Sequence, residues 1–430
     1  MPKYDDYVDS GVEWLGRVPA SWELTRLGTR FNERRSKVSD IDYPALSVTK
    51  KGVLPQLDNA AKTKDGDNRK LVKEGDFVIN SRSDRKGSSG VSDRDGSVSL
   101  INIVLKPKGI HPKFSEHLLK SHAFIEEYYR VGRGIVADLW TTRYDEMRTI
   151  TISVPSLEEQ TRIANFLDKK TALIDEAISI KEKQINLLKE HKQIIIQQAV
   201  TQGLDPNVPM KDSGVDWIGD IPEHWEVVPL KRLAVLSPSV KVSNRKSKEL
   251  VTFLAMEKVS TDGFIDQDTL MPICDVSQGF TVFNRGDVIV AKITPCFENG
   301  KSAWLNNLQT EFGYGSTEFH VLRCGQRIIG SFLYLIVSSP LFLNAGEAMM
   351  TGSAGQKRVP SSFIQNFPTA IPGVAEQEKI VSKVKELFSQ IDVVVASTGN
   401  QIEKLKEYKT TLINSAVTGK IKITPEMVEQ

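Results

Sequence analysis

The opening of this chain is written a second time near its middle. Residues 9–27 read DSGVEWLGRVPASWELTRL and residues 212–230 read DSGVDWIGDIPEHWEVVPL, identical at ten of nineteen positions with an offset of 203. Trp14 and Trp22 return as Trp217 and Trp225. Later echoes run at an offset of 217: EEQTRI at 158–163 against AEQEKI at 375–380, and LKEHK at 188–192 against LKEYK at 405–409. Between them EGDFVINS at 74–81 answers RGDVIVAK at 285–292, and VLK at 104–106 answers VLR at 321–323. Self-similarity on this scale predicts two like domains related by an internal pseudo-two-fold.

Texture sets the boundaries. Residues 1–155 and 204–372 mix short apolar runs with Gly, Pro, Ser and Asp turns, which predicts mixed α/β domains. Residues 156–203 and 373–430 are dominated by strong helix formers, with GLDPNVP at 203–209 as a linker. In the first helical stretch Ile174, Ile178, Lys181, Ile185, Leu188, Lys192, Ile195 and Ala199 step by four and three. Adding 217 gives Ile391, Val395, Thr398, Ile402, Leu405, Lys409, Leu412 and Ala416, so the heptad seam recurs position by position, polar interruptions included. Such a helix must bury its stripe, and its simplest partner is its own twin. The expected fold class is α+β: two mixed α/β domains joined by two long helices that form an antiparallel coiled coil, one domain near each end. The alternative packs each helix on its own domain.

Lys and Arg number 56 against 54 Asp and Glu, a net charge of +2. That excludes a uniformly basic nucleic-acid binder and leaves room for local basic patches. Cys274, Cys296 and Cys324 fall in no C-x-x-C spacing and the six histidines are scattered, which argues against a disulfide framework or zinc site and for a reducing compartment. No signal-peptide pattern or bilayer-length apolar run is present, so a soluble cytoplasmic protein is expected.

Catalytic motifs fail one by one. Gly132–Ala137 fits G-x-G-x-x-A but follows a helical rather than a strand-like segment, so the dinucleotide fingerprint lacks its context. There is no phosphate loop, no H-E-x-x-H, no G-x-S-x-G and no N-P-P-[FY]. The pairs Glu190/Lys192 and Glu407/Lys409 resemble nuclease half-motifs, but they sit on the heptad helices and read as structural. His117 and His122 lack a third metal ligand, and the Trp14/Trp22 pair reads as a packing anchor. No catalytic residue, metal site or cofactor of its own is assigned to this chain.

Where the two domains diverge is informative. After equivalent strands, NSRSDRKGSSG in the first copy faces AKITPCFENGK in the second. The first loop carries Arg82, Arg85, Lys86, Ser88 and Ser89; the second carries Lys292, Thr294, Asn299 and Lys301, with Phe297 and Glu298 among them. Lys357 and Arg358 form a further basic cluster, with Arg143 in a roughly comparable place in the first copy. Arg, Asn and Glu match base edges, and Lys and Ser grip phosphate, so these residues are the candidate DNA contacts. A kept scaffold with divergent loops fits two modules that bind different things.

The chain resembles the DNA-specificity subunit of type I restriction–modification systems. The carriers are W-[LI]-G-x-[VI]-P-x-x-W-E at 14–23 and 217–226, P-x-x-x-E-Q-x-x-I at 155–163 and 372–380, the twin helices, and GDVIVAKITPCFENGK with GSTEFHVLR in the second copy. The resemblance implies two target-recognition domains, each reading one half of a bipartite, asymmetric DNA sequence, with the helices setting the unread gap. It implies no catalysis by this chain itself. Two modification subunits using S-adenosylmethionine would dock on it, and restriction subunits using ATP and Mg would join them. Two rivals stand beside it: a coiled-coil protein-interaction adaptor with two ligand-binding lobes, and an autonomous DNA-modifying enzyme, for which no unassigned segment of sufficient length remains.

Overall fold

The computed structural model describes residues 2–56, 66–134, 140–240, 247–353 and 355–429. The chain divides into two compact units, one of Met1–Glu182 with Gly399–Gln430 and the other of Lys183–Thr398. Both long helices cross that division.

In the first unit, strands Phe31–Glu33 (β1), Phe77–Asn80 (β2), Ser89–Val91 (β3) and Asn102–Pro107 (β4) form an antiparallel sheet in the order β3-β2-β4-β1. Period-two alternation explains why β2 is buried along its whole length. Phe77 and Ile79 face one core with Leu105, Phe114, Leu118, Phe124 and Tyr128, while Val78 faces a smaller one with Val72, Val98 and Val104. Helices Pro112–Lys120 (α1) and His122–Arg130 (α2) cover the larger face. Ser121 ends α1 and caps α2, accepting a hydrogen bond from Phe124 N at 3.3 Å.

The second unit repeats this plan. Strands Ala234–Leu236 (β5), Val288–Ala291 (β6), Ser302–Trp304 (β7) and Phe319–Cys324 (β8) pair in the order β5-β8-β6-β7, the same path as in the first sheet. Val288 and Val290 face the core under helices Gly330–Val337 and Pro340–Ala348, and Ile289 faces the other way. What differs is the accessory sheet. Among the described residues the first unit has three antiparallel strands with one parallel bridge, Ala45–Ser97, whereas the second has four strands, with Leu250–Leu254 parallel to Phe312–Gly315.

Two long helices complete the fold, Leu157–Thr201 and Val374–Val417. All sixteen heptad-seam residues are buried or half-buried, while most of the positions between them are exposed. The helices run antiparallel. In the first unit Lys409 Nζ meets Asp175 at 2.6 Å and Lys181 Nζ meets Gln401 Oε1 at 2.5 Å. In the second, Lys192 Nζ meets Asp392 Oδ1 at 2.5 Å and lies over the Phe388 ring. Lys192–Asp392 and Asp175–Lys409 are the same pair read from either copy, displaced by 217. Lys192 and Lys409 thus each reach an aspartate on the opposite helix.

The start of each long helix explains the repeated Glu-Gln. Gln160 and Gln377 are fully buried. Gln160 donates to the Pro155 carbonyl at 2.8 Å and accepts from His111 N at 2.7 Å, just before α1. Gln377 donates to the Pro372 and Arg327 carbonyls and accepts from Ile329 N at 3.0 Å, just before the equivalent helix. Each glutamine satisfies backbone groups that burial would otherwise leave unpaired. The glutamates beside them serve the N-terminal openings: Tyr4 donates to Glu159 at 2.5 Å, and the buried Trp225 indole donates to Glu376 at 3.1 Å. The buried Trp22 and Trp225 are packing anchors, as expected of the repeated pair.

Candidate nucleic-acid interface

Each unit builds a small platform from two segments far apart in sequence. In the first unit the loop leaving β2 is pinned by Trp140–Thr142, which Arg133 also meets: Arg133 and Thr141 exchange backbone hydrogen bonds at 2.9 Å each, Thr142 N donates to Ser81 O at 3.0 Å, and Ser83 N donates to Trp140 O at 3.1 Å. In the second the loop leaving β6 is pinned by Lys357–Val359, which Thr351 also meets. Thr351 and Arg358 exchange bonds at 3.1 and 2.8 Å, Val359 N donates to Lys292 O at 2.9 Å, and Thr294 N donates to Lys357 O at 3.0 Å. These are the same four bonds in both copies. Because they are all main-chain bonds, this pairing does not depend on which side chains the exposed positions carry.

Side chains on the first platform are tied from beneath by α2. Tyr129 Oη donates to Arg82 O at 3.1 Å, and the Trp140 indole donates to Tyr129 O at 2.7 Å. Burial pushes the Tyr129 phenol up to about 12, so it stays a donor at neutral pH. Arg82, Arg85 and Lys86 are exposed; Lys86 meets Glu126 at 2.7 Å and lies over the Tyr129 ring. Ser88 and Ser89 are buried, with Ser89 in β3, so neither offers a surface to a ligand.

On the second platform Lys357, Arg358 and Asn299 are exposed, and Lys292, Thr294 and Lys301 are half-buried. The Lys292 ammonium donates to Thr317 O at 2.8 Å, and burial lowers its pKa. Lys301 donates to Met256 O at 3.0 Å. Phe297 is fully buried against Phe342 and anchors the loop. Arg358 is held side-on by Glu318, which accepts from Nε at 2.9 Å and from Nη2 at 2.9 Å. The guanidinium beside it holds the Glu318 carboxyl below the usual glutamate range.

Besides the buried Ser88 and Ser89, one more placement departs from the sequence-based expectation. Thr141, not Arg143, occupies the place of Arg358; Arg143 is exposed two residues further on, where its backbone N–H meets Glu146 at 3.1 Å. Sequence reasoning misses Glu318, Arg133 and Trp140, although the offset of 217 already aligns Trp140, Thr141 and Thr142 with Lys357, Arg358 and Val359. Of the dinucleotide-like run, Ile135–Ala137 lies outside the described residues. Among the described residues no group of three or more His, Cys, Asp or Glu could hold a metal ion, and no helix is long and apolar enough to cross a membrane.

The duplicated α/β unit, its platform and the antiparallel helix pair define a class: an internally repeated protein carrying two variable loops on one kind of scaffold. Within that class the chain is similar to specificity subunits of type I restriction–modification systems, in part of its sequence and in its fold. Residues 26–190 match the family described as type I restriction modification DNA specificity domain. The EcoAI specificity subunit of Escherichia coli is 38% identical over 199 residues, 46% of this chain and 33% of that protein. The chain therefore spans about a third of the length of such relatives. Along nearly its whole length it is 23% identical to the MjaVIII specificity subunit of Methanocaldococcus jannaschii, covering 95% of this chain and 94% of that one. Among solved structures, a chain from work on complex assembly and conformational transition of the type I R-M system superposes with a TM-score of 0.69 at 15% identity, covering 93% of this chain and 98% of that one. The HsdS subunit from Thermoanaerobacter tengcongensis gives 0.51 at 16% identity, covering 94% and 98%.

Proposed function

We propose that this chain is the non-catalytic DNA-specificity subunit of a type I restriction–modification complex in the cytoplasm. Each unit reads one half of a bipartite, asymmetric duplex target through its platform, and the helix pair sets the unread gap. Two modification subunits dock on the chain and methylate adenine from S-adenosylmethionine; restriction subunits that use ATP and Mg join them. The observation that carries this reading is the platform built twice from the same backbone bonds with unrelated side chains. A kept frame with different exposed Arg, Lys and Asn side chains suits two readers of different base sequences. Near-neutral net charge is consistent with a chain whose partners share the neutralisation of DNA phosphate.

Genome-wide mapping of methylated adenine in cells with and without this chain tests the reading. A split motif that disappears with the chain is the expected result. A methylation pattern indifferent to the chain would overturn it.

A further inference from the structure

The contact between Arg358 and Glu318 uses only part of the guanidinium. A guanidinium has five N–H groups in a planar fork. Nε and one N–H of Nη2 face the Glu318 carboxylate, at 2.9 Å each, in a side-on bidentate pair. Nη1 has the Gln356 carbonyl at 3.5 Å, the outer limit of a hydrogen bond. The end edge of the fork, one N–H from each Nη, therefore remains available on a side chain that is 48% exposed. Its backbone is held on both sides, by Thr351 and by an isolated bridge to Ile293 in the loop leaving β6. Glu318 is itself fixed, with its N–H on Ser316 Oγ at 3.2 Å and its carbonyl on Lys292 N at 2.7 Å.

Two parallel N–H groups at the end of an arginine match the N7 and O6 acceptors of guanine in the major groove, the base edge that offers two acceptors side by side. A phosphate would accept from Arg358 too, but it needs no fixed fork. A carboxylate that occupies the side edge and leaves the end edge free limits the rotation of the guanidinium and favours a planar, directional acceptor pair. The equivalent positions of the first unit do not carry this pair. Ile101 stands at the place of Glu318 and Thr141 at the place of Arg358.

We propose that Arg358, held side-on by Glu318, reads the N7/O6 edge of one guanine in the half-site of the second unit, with Glu318 as its positioning residue. This deepens the reading above and rests on it. The test uses the full chain with its modification partners. Methylated adenine is mapped for wild type, Arg358→Lys, Glu318→Gln and Glu318→Asp, and binding is measured on oligonucleotides with guanine or 7-deazaguanine at each guanine of that half-site. Arg358→Lys and Glu318→Gln should both lose preference for guanine at one and the same position, by roughly 10- to 100-fold. Glu318→Asp should restore part of it, the other half-site should stay unchanged, and 7-deazaguanine there should weaken wild type but not Arg358→Lys. Loss of affinity for all sequences alike with an unchanged motif would mean a phosphate contact and overturn the proposal. So would a wild-type motif in Glu318→Gln. Failure of the functional reading itself shows earlier, as no chain-dependent methylation in the wild-type arm, and takes this inference with it.

Discussion

Asp76 and Asp287 stand at the same place in the two units, in the Gly-Asp turn before the strand that leads into each platform, yet they take their arginine from different strands. Asp76 pairs with Arg34, just after β1, at 2.6 and 3.1 Å. Asp287 pairs with Arg323 of β8 at 2.8 Å through both oxygens. Arg34 corresponds to Ser237 and Arg323 to Lys106, so the cation has moved to the neighbouring strand while the buried carboxylate kept a partner. Arg34→Ser should destabilise the first unit by roughly 3 kcal/mol, because it strands a buried charge. Adding Lys106→Arg should recover most of that loss in urea unfolding; no recovery would mean the two sites are not interchangeable. His320 gives a pH signature. It is buried, its ring donates to the Val359 carbonyl at 3.0 Å, and burial lowers its pKa from 6.5 to about 4. The folded form binds the proton less readily than the unfolded chain, so this stability is complete above about pH 6.5 and lost as pH falls toward 4. Between pH 7.5 and 5 the loss should be about 2 kcal/mol. His320→Ile, the residue at the equivalent Ile103, should flatten that slope.

At the scale of elements, the helices were readable and the loop tips were not, for a physical reason. A heptad seam is a periodic property of the sequence, and the observed burial follows it residue for residue. What periodicity could not supply was the partners of the seam lysines Lys192 and Lys409, since Asp392 and Asp175 lie 200 and 234 residues away in sequence. Loop positions were legible because flanking strands fixed them. Loop orientation depends on what packs underneath, which is why Phe297, Ser88 and Ser89 turned inward and Thr141 took the place expected near Arg143. Leu188, packed on the core of the second unit, should cost roughly 3 kcal/mol as Leu188→Asp. Unchanged unfolding would say the seam is open there. Gly399 lies inside the second long helix, where an added Cβ would meet no atom within 4 Å, so Gly399→Ala should add about 1 kcal/mol of stability in the same unfolding measurement. If the first platform reads one half-site as proposed, replacing Arg82, Arg85 and Lys86 by alanine should relax that half-site only; loss at both halves would count against independent readers.

For the whole molecule, the proposed measuring role of the helices gives a length prediction. Seven residues inserted at matching points of both helices preserve the heptad register and lengthen each by about 10 Å, or roughly three base pairs. The half-sites should be unchanged and the gap between them longer by that amount, read from the methylation map; an unchanged gap would refute the measuring role. The duplication and the fold class were visible in the sequence, because they rest on echoes about two hundred residues apart and on a periodic helix seam. The coupling of each loop to a second segment some sixty residues later was not, since main-chain hydrogen bonds leave no mark on residue type. That same property has an evolutionary corollary. If the platforms read DNA as proposed, outward residues of either one can be exchanged singly while the main-chain frame stays paired, so new preferences can arise by drift and selection without rebuilding the scaffold.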